Sequence, residues 1–305
     1  MTAPLDHFCP VSLEYSSAVS FRASRTSSSR LTVVLTSFSF SSCITNSLVA
    51  AGNLFYNTRR AMKFLALLSS MPFESDQVLD ALRNVRVLNI AGKTVYRGRL
   101  SGHDIILLNT GIGKVNAAHS ATCIIEYFQV KQVVNFGVGG AYPQSGLKIG
   151  DIAVASKEIY GDEGVITSKG WDSLRKIGIP LLQDGTKKYF NEFTLSLNRP
   201  FEKGGRGDFQ IKRGNFVTVS ATTGAQRRAI ELGKRFNAIC ENMEGAAVAH
   251  VCTIYKIPFL EVRGISNVTG VRDKRKWDLK LASGNCQKAV LEFMTRYKNG
   301  NGRFK

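Results

Sequence analysis

From Lys63 onward, short apolar runs alternate with segments whose apolar residues recur every three or four positions. "KFLALLSS" has the length and flanks of a buried strand, and "PFESDQVLDALRN", with Phe73, Val78, Leu79 and Leu82, has helical spacing. "TVYRGRL" and "HDIILLNT" read as paired strands around a turn at Ser101-Gly102, and "KVNAAHSATCIIEYF" as a helix after Gly111-Ile112-Gly113. "QVVNFGVGGAY" and "GDIAVASKEIY" read as strands, "QRRAIELGKRF" as a helix, and "AICENM" as a strand leading into the helix "EGAAVAHVCTIYK". "PFLEVRGISN" is a further strand and "SGNCQKAVLEFMTRYK" a closing helix. This alternation predicts a single α/β domain over residues 62–305, three-layered α/β/α, with a central mixed, largely parallel sheet covered on both faces. Such sheets bind ligands beyond the carboxyl ends of their strands, where "SSMPFE", "NFGVGGAY", "ENMEG" and "GISNVTG" fall. Gln183 to Gly214 lacks periodicity and is rich in Gly and charge, so a long loop with one strand is expected there, contributing to substrate entry.

Residues 1–61 follow a different pattern. They are crowded with Ser and Thr, hold only Asp6 and Glu14 as acids, and carry Arg22, Arg25, Arg30, Arg59 and Arg60, a composition that rarely builds a core. Leu31 to Thr58 is uncharged and long enough to span a bilayer, but it is diluted by Ser, Thr and Asn. An Arg- and Ser-rich, acid-poor segment also has the character of an organelle transit peptide. The simplest expectation is a disordered or leader-like extension outside the fold, with the domain opening at Met62.

The whole chain is 44% apolar, ample for a core, and carries a formal charge of +18. Its basic residues are scattered and few adjoin aromatics, which weighs against nucleic acid and leaves a solvated basic surface or attraction for an anionic small substrate. The six cysteines show no C-x-x-C, and several lie in apolar runs where a thiol acts as a small hydrophobe, so a reducing compartment is expected. The four histidines show neither H-E-x-x-H nor other ligand spacing, so a His-based metal site is not expected, and His250 reads as a packed or surface side chain. "GIGKVN" lacks the third glycine of a dinucleotide fingerprint, and no P-loop pattern occurs. Gly137, Gly139 and Gly140 suit either a tight turn or a backbone that closely approaches a planar base. In "ICENMEGAAVAHVC", Glu241 and Glu244 stand among residues that otherwise read as buried. A glutamate opening a helix is ordinarily explained by the macrodipole.

"ENMEGAAVAHVC" followed by "PFLEVRGISN" resembles the signature of the nucleoside phosphorylase and nucleosidase superfamily. "GIGKVNAAHSAT", "VNFGVGGAY", "LKIGDIAVASKEIYGDEGV" and "TTGAQRR" extend the likeness from Met62 to the last helix. Within it, "YGDEGV" and "ISNVTGVRDKRKW" are similar to the futalosine hydrolases of menaquinone biosynthesis rather than to the methylthioadenosine/S-adenosylhomocysteine nucleosidases. The resemblance implies a cytoplasmic homo-oligomer that cleaves the N-glycosidic bond of a purine nucleoside, with no cofactor and no nucleic-acid or membrane partner. It implies that Glu244 accepts hydrogen bonds from the ribose hydroxyls and stabilises a ribosyl cation, with Met243 flanking the sugar. Counting along "SSMPFES" puts Glu74 at the position of the general base for water, and Gly139 and Thr223 join the substrate-binding set. Phosphorolysis needs arginines to clamp phosphate, and "GIGKVN" offers only Lys114, so water is the expected acceptor.

Where adenine-specific nucleosidases place an aspartic acid after Ile-Ser, this chain has Asn267. Its amide can donate to N7 but is no strong acid; reaching both N7 and O6 it suits a 6-oxopurine such as hypoxanthine, and it also pairs with adenine, so it does not settle the base, although the departure from aspartic acid counts against adenosine-type substrates and favours the futalosine hydrolases. Arg272 or Lys274 is expected to meet a distal carboxylate of the substrate, and Asp273 to supply an acid if its loop folds back; otherwise that loop is a solvated charged segment. The alternatives are a methylthioadenosine/S-adenosylhomocysteine nucleosidase and a non-catalytic binding or storage protein of the same fold. The presence of both Glu74 and Glu244 favours an enzyme.

Overall fold

The computed structural model describes residues 63–195 and 209–297. The leader-like segment expected over residues 1–61 lies outside them. Strand β1 (Phe64–Ser69) is buried along its whole length and runs into a 3-10 turn (Pro72–Glu74) and the short helix α1 (Asp76–Ala81). There follow β2 (Arg83–Ile90), β3 (Lys93–Leu100), β4 (His103–Asn109), α2 (Lys114–Tyr127) and β5 (Val130–Ala141). Next come β6 (Ile152–Tyr160), β7 (Gly164–Thr167), β8 (Gly170–Ser173), α3 (Leu174–Ile177), β9 (Leu182–Asp184), β10 (Lys187–Tyr189) and β11 (Glu192–Thr194). The chain continues as β12 (Ile211–Thr218), α4 (Gln226–Arg235), β13 (Ala238–Asn242), α5 (Gly245–Ile254), β14 (Phe259–Val268) and α6 (Leu279–Arg296).

The main sheet has ten strands among the described residues. Parallel pairings of β4 with β1, β1 with β5 and β5 with β14 make its centre, and β6, β12 and β13 are parallel as well. The antiparallel β2–β3–β4 meander forms one edge and β11 the other. Because β14 also pairs with β6 and β13 with β5, strands β5, β14, β6, β12 and β13 close into a ring, a departure from a simple open sheet. Helices α2 and α5 cover one face through Ala117, Ala121, Ile124 and the run Ala246–Cys252. Helices α1 and α6 cover the other through Val78, Cys286, Val290 and Phe293. This is the three-layer α/β/α arrangement that the alternation predicts.

Two expectations need correction. The first helix ends at Ala81, and Arg83–Ile90 is an edge strand paired with β3 through a turn at Ala91-Gly92, both with positive φ. Nearly all of β2 is exposed, so it lacks the apolar alternation that marks a half-buried strand. The expected long loop after Gln183 instead contains β9, β10, β11 and the first half of β12, an interior strand between β6 and β13. Lys212, Arg213 and Gly214, following Ile211 in the first half of β12, hide it from a hydrophobicity pattern, since only Phe216–Thr218 are fully buried. Residues 196–208 of that segment are outside the description.

Candidate active site

The carboxyl ends of β1, β5, β13 and β14 surround a cavity of about 360 Å³. Glu74, Gly139, Thr223, Met243, Glu244, Asn267 and Arg272 all line it, whereas Asp273 and Lys274, the other candidates of the last loop, do not. Phe73, Ile112, Val271, Trp277 and Leu279 add apolar wall that the sequence reading did not assign.

Glu74 sits just past β1, where Pro72 opens the 3-10 turn and directs the side chain inward. It is 2% exposed. One carboxylate oxygen accepts the backbone N–H groups of Ser70 (2.9 Å) and Met71 (2.8 Å), and the other accepts that of Val138 (2.8 Å). Burial raises its pKa above the ordinary carboxylate value, against the lowering influence of the Arg263 charge and those amide bonds. Gly137 permits this approach, because a Cβ there would collide with the Glu74 carboxylate and stand 3.2 Å from Arg263 Nη1.

Glu244 occupies the N-cap position of α5 without using its side chain to cap that helix. Asn242 does that work, its Oδ1 accepting the N–H groups of Glu244 (3.0 Å) and Gly245 (2.8 Å). The Glu244 carboxylate, freed from capping, accepts the Gly113 N–H (2.9 Å) from the glycine loop before α2 and pairs with Arg263 Nη2 (3.2 Å) on β14. The macrodipole explanation therefore misses what holds this side chain.

Arg263 is the residue that sequence reasoning missed. It is 1% exposed and binds Glu261 through Nε (2.8 Å), Glu244 through Nη2 (3.2 Å) and the Val138 carbonyl through Nη1 (3.1 Å). Burial alone would lower its pKa, but Glu261, Glu244 and Glu74 together raise it, so the guanidinium stays charged. Burial and the neighbouring Glu261 push the carboxyl of fully buried Glu158 well above its usual range, so it holds its proton. The available signal was Glu261-Val262-Arg263 within an apolar strand, two opposite charges at the period that places them on one face.

Asn267 Oδ1 accepts the Ser266 hydroxyl (2.8 Å) and its Nδ2 donates to the Val268 carbonyl (3.2 Å). Thr223 is tied to Glu241 by its backbone N–H (2.9 Å) and its hydroxyl (2.6 Å). Met243 is partly exposed to the cavity, and the Arg272 guanidinium lies over the Trp277 ring at 5.0 Å. Asp273 is not among the cavity-lining residues; it pairs with Arg275 (3.0 Å), which holds its carboxyl below the usual range. It therefore does not supply the acid considered for that loop. Lys114 is engaged by Asp162 and Glu163 and lies 5.0 Å from the centre of the Tyr160 ring. His250 packs against Phe193 with ring centroids 4.7 Å apart, in the packed role expected of it.

Among the described residues no group of His, Cys, Asp and Glu is arranged to hold a metal ion, and no helix is long and apolar enough to cross a membrane. The phosphorylase superfamily profile matches residues 64–295. A futalosine hydrolase of Thermus thermophilus is 35% identical over 203 residues, covering 65% of this chain and 84% of the relative. A 5'-methylthioadenosine/S-adenosylhomocysteine nucleosidase of Bacillus thuringiensis is 29% identical over 215 residues, covering 70% and 90%. The solved structure of such a nucleosidase from Colwellia psychrerythraea, in complex with adenine, matches with a TM-score of 0.64 and 26% identity, covering 76% of this chain and 95% of that one. The chain, matched by the profile from its first described strand to its last helix, belongs to the phosphorylase superfamily.

Proposed function

We propose that the protein hydrolyses the N-glycosidic bond of futalosine, releasing hypoxanthine and dehypoxanthine futalosine in menaquinone biosynthesis. The observation that carries this reading is the convergence of Glu74 and Glu244 with Arg263 in one buried cavity. As the bond from the sugar C1′ to the purine N9 breaks, its electron pair leaves with the base and positive charge develops on the ribosyl ring. Glu244 faces that charge and accepts from the sugar hydroxyls, held in place by Arg263 and the Gly113 amide. Glu74 takes a proton from the attacking water as oxygen bonds to C1′, and its raised pKa makes it a stronger base than a surface carboxylate. Asn267 donates a hydrogen bond to the departing purine, which takes up a proton from solvent to leave as neutral hypoxanthine, while Glu74 returns to solvent the proton it took from water. Arg272, on the cavity rim over Trp277, is suited to the distal carboxylate of the substrate.

Water rather than phosphate as acceptor is supported by Lys114, the cation of the glycine loop, being occupied by Asp162 and Glu163. The competing substrate class is an adenine nucleoside such as methylthioadenosine, which the 29% identical relative favours and Asn267 disfavours. A cytoplasmic location and a homo-oligomeric assembly go with the reading; fractionation and light scattering test them. Chromatography of the free base after incubation with futalosine, methylthioadenosine and inosine in turn tests the substrate. Hypoxanthine from futalosine is the expected product, and adenine from methylthioadenosine alone would overturn the reading.

A further inference from the structure

Glu241 is a buried acid that the hydrolytic chemistry leaves unused. It is 6% exposed and lines the same cavity as Glu74 and Glu244, yet no ion pair among the described residues includes it. Three donors fix it instead: Oε1 accepts the Thr223 N–H (2.9 Å), and Oε2 accepts the Thr223 hydroxyl (2.6 Å) and the Tyr142 hydroxyl (3.0 Å). Burial and the adjacent Glu241 raise the Tyr142 pKa well above its usual value, so that phenol remains a donor. A carboxylate has about four lone-pair sites, so Oε1 keeps one acceptor site in a cavity wall. That remaining acceptor site is available to a donor on the ligand.

The strand register gives that site its partner. Glu241 on β13 and Asn267 on β14 both pair with Gly140 of β5, from its opposite edges. A Cβ on Gly140 would collide with Thr269 Oγ1 and lie 3.4 Å from Asn267 Nδ2, so the missing side chain lets Thr269 and Asn267 pack close against β5 on this side of the cavity. The Ser266 hydroxyl occupies Asn267 Oδ1 and the Val268 carbonyl takes one N–H of Nδ2, which leaves the second amide N–H as what Asn267 offers. An acceptor on one side and a donor on the other match the edge of a 6-oxopurine, whose N1 carries a hydrogen and whose O6 and N7 are acceptors. A 6-aminopurine reverses both, with a bare lone pair at N1 and a donor at C6.

We propose that Glu241 is a specificity-determining residue, its Oε1 accepting the N1–H of a 6-oxopurine while Asn267 donates to O6 or N7. This rests on the nucleosidase reading above and derives the class of base from this chain's own residues. The test is calorimetric binding of the free bases hypoxanthine, adenine and 1-methylhypoxanthine to the intact protein and to Glu241→Gln. The wild type is expected to bind hypoxanthine about 30-fold or more tighter than adenine or the N1-methylated base, the scale of a hydrogen bond to a charged group. Glu241→Gln, whose amide can donate to N1, is expected to reduce the preference over adenine at least about tenfold. Equal or tighter binding of adenine by the wild type, undiminished binding of 1-methylhypoxanthine, or an unchanged ratio in Glu241→Gln would each overturn the proposal. The first two need no variant, so they decide the matter even if Glu241→Gln fails to fold. A wild type that prefers hypoxanthine yet leaves futalosine intact would uphold Glu241 and overturn the futalosine reading. Cleavage of futalosine without discrimination between bases would do the reverse.

Discussion

The inner end of the cavity and its rim use charge in opposite ways. Inside, Arg263 and the acids Glu74, Glu244 and Glu261 are each at most 3% exposed and hold one another and the backbone in fixed geometry. At the rim, Arg272 rests on Trp277 and Asp273 pairs with Arg275 two residues on, all within one solvent-facing segment. Buried groups cannot trade partners with water, so the inner cluster fixes both geometry and proton affinity. The rim pairs are screened and local, and they shape what the cavity admits more than what it does.

The sharpest way to break the contrast is at Glu74. Glu74→Gln keeps the shape and removes the base, and kcat is expected to fall by about two to four orders of magnitude in a steady-state assay. Arg263→Leu leaves Glu244 and Glu261 without their cation, which costs about 3–5 kcal/mol of stability, measurable by denaturant titration. A pH series sharpens the same point. Because the Glu74 pKa is raised and its ionised form is the base, activity should rise with pH along a limb lying above the ordinary carboxylate range.

Glu158 gives the stability counterpart. Below its ordinary value of 4.5 the carboxyl is protonated in both folded and unfolded chains. Above that value the unfolded chain releases the proton while the folded protein keeps it, so stability falls as pH rises until the folded group also ionises. Glu158→Gln cannot titrate, so its melting temperature relative to wild type should increase as pH rises above 4.5, until the folded Glu158 also ionises. At the rim the effects should be small. Arg272→Ala should raise KM for futalosine about fivefold with kcat unchanged, the size of a solvent-exposed ion pair. Asp273→Asn should leave kcat/KM where it was.

The same division governs what the sequence disclosed. Strands buried along their length, such as Phe64–Ser69, announce themselves as apolar runs; Glu244 stands out as an acid among residues that read as buried, and Glu74 stands out only through the resemblance. Strand β12 was concealed because its first half is charged and only partly buried, and β2 because almost nothing on it is buried at all. Arg263 was hidden for the converse reason: its charge lies inside an otherwise apolar strand, and although Glu261 two residues before it hints at a pair, only the fold brings Glu244 from another element to meet it. Glu241 was visible as an anomaly, but its partners Tyr142 and Thr223 lie 99 and 18 residues away, and only the sheet register shows that it shares Gly140 with Asn267.

The most direct test of the central claim is mass spectrometry of the products formed from futalosine in phosphate buffer by wild type and Glu74→Gln. Free hypoxanthine with the free sugar from the wild type, and neither from the variant, is the predicted result. A sugar 1-phosphate, or undiminished turnover by Glu74→Gln, would contradict hydrolysis driven by Glu74.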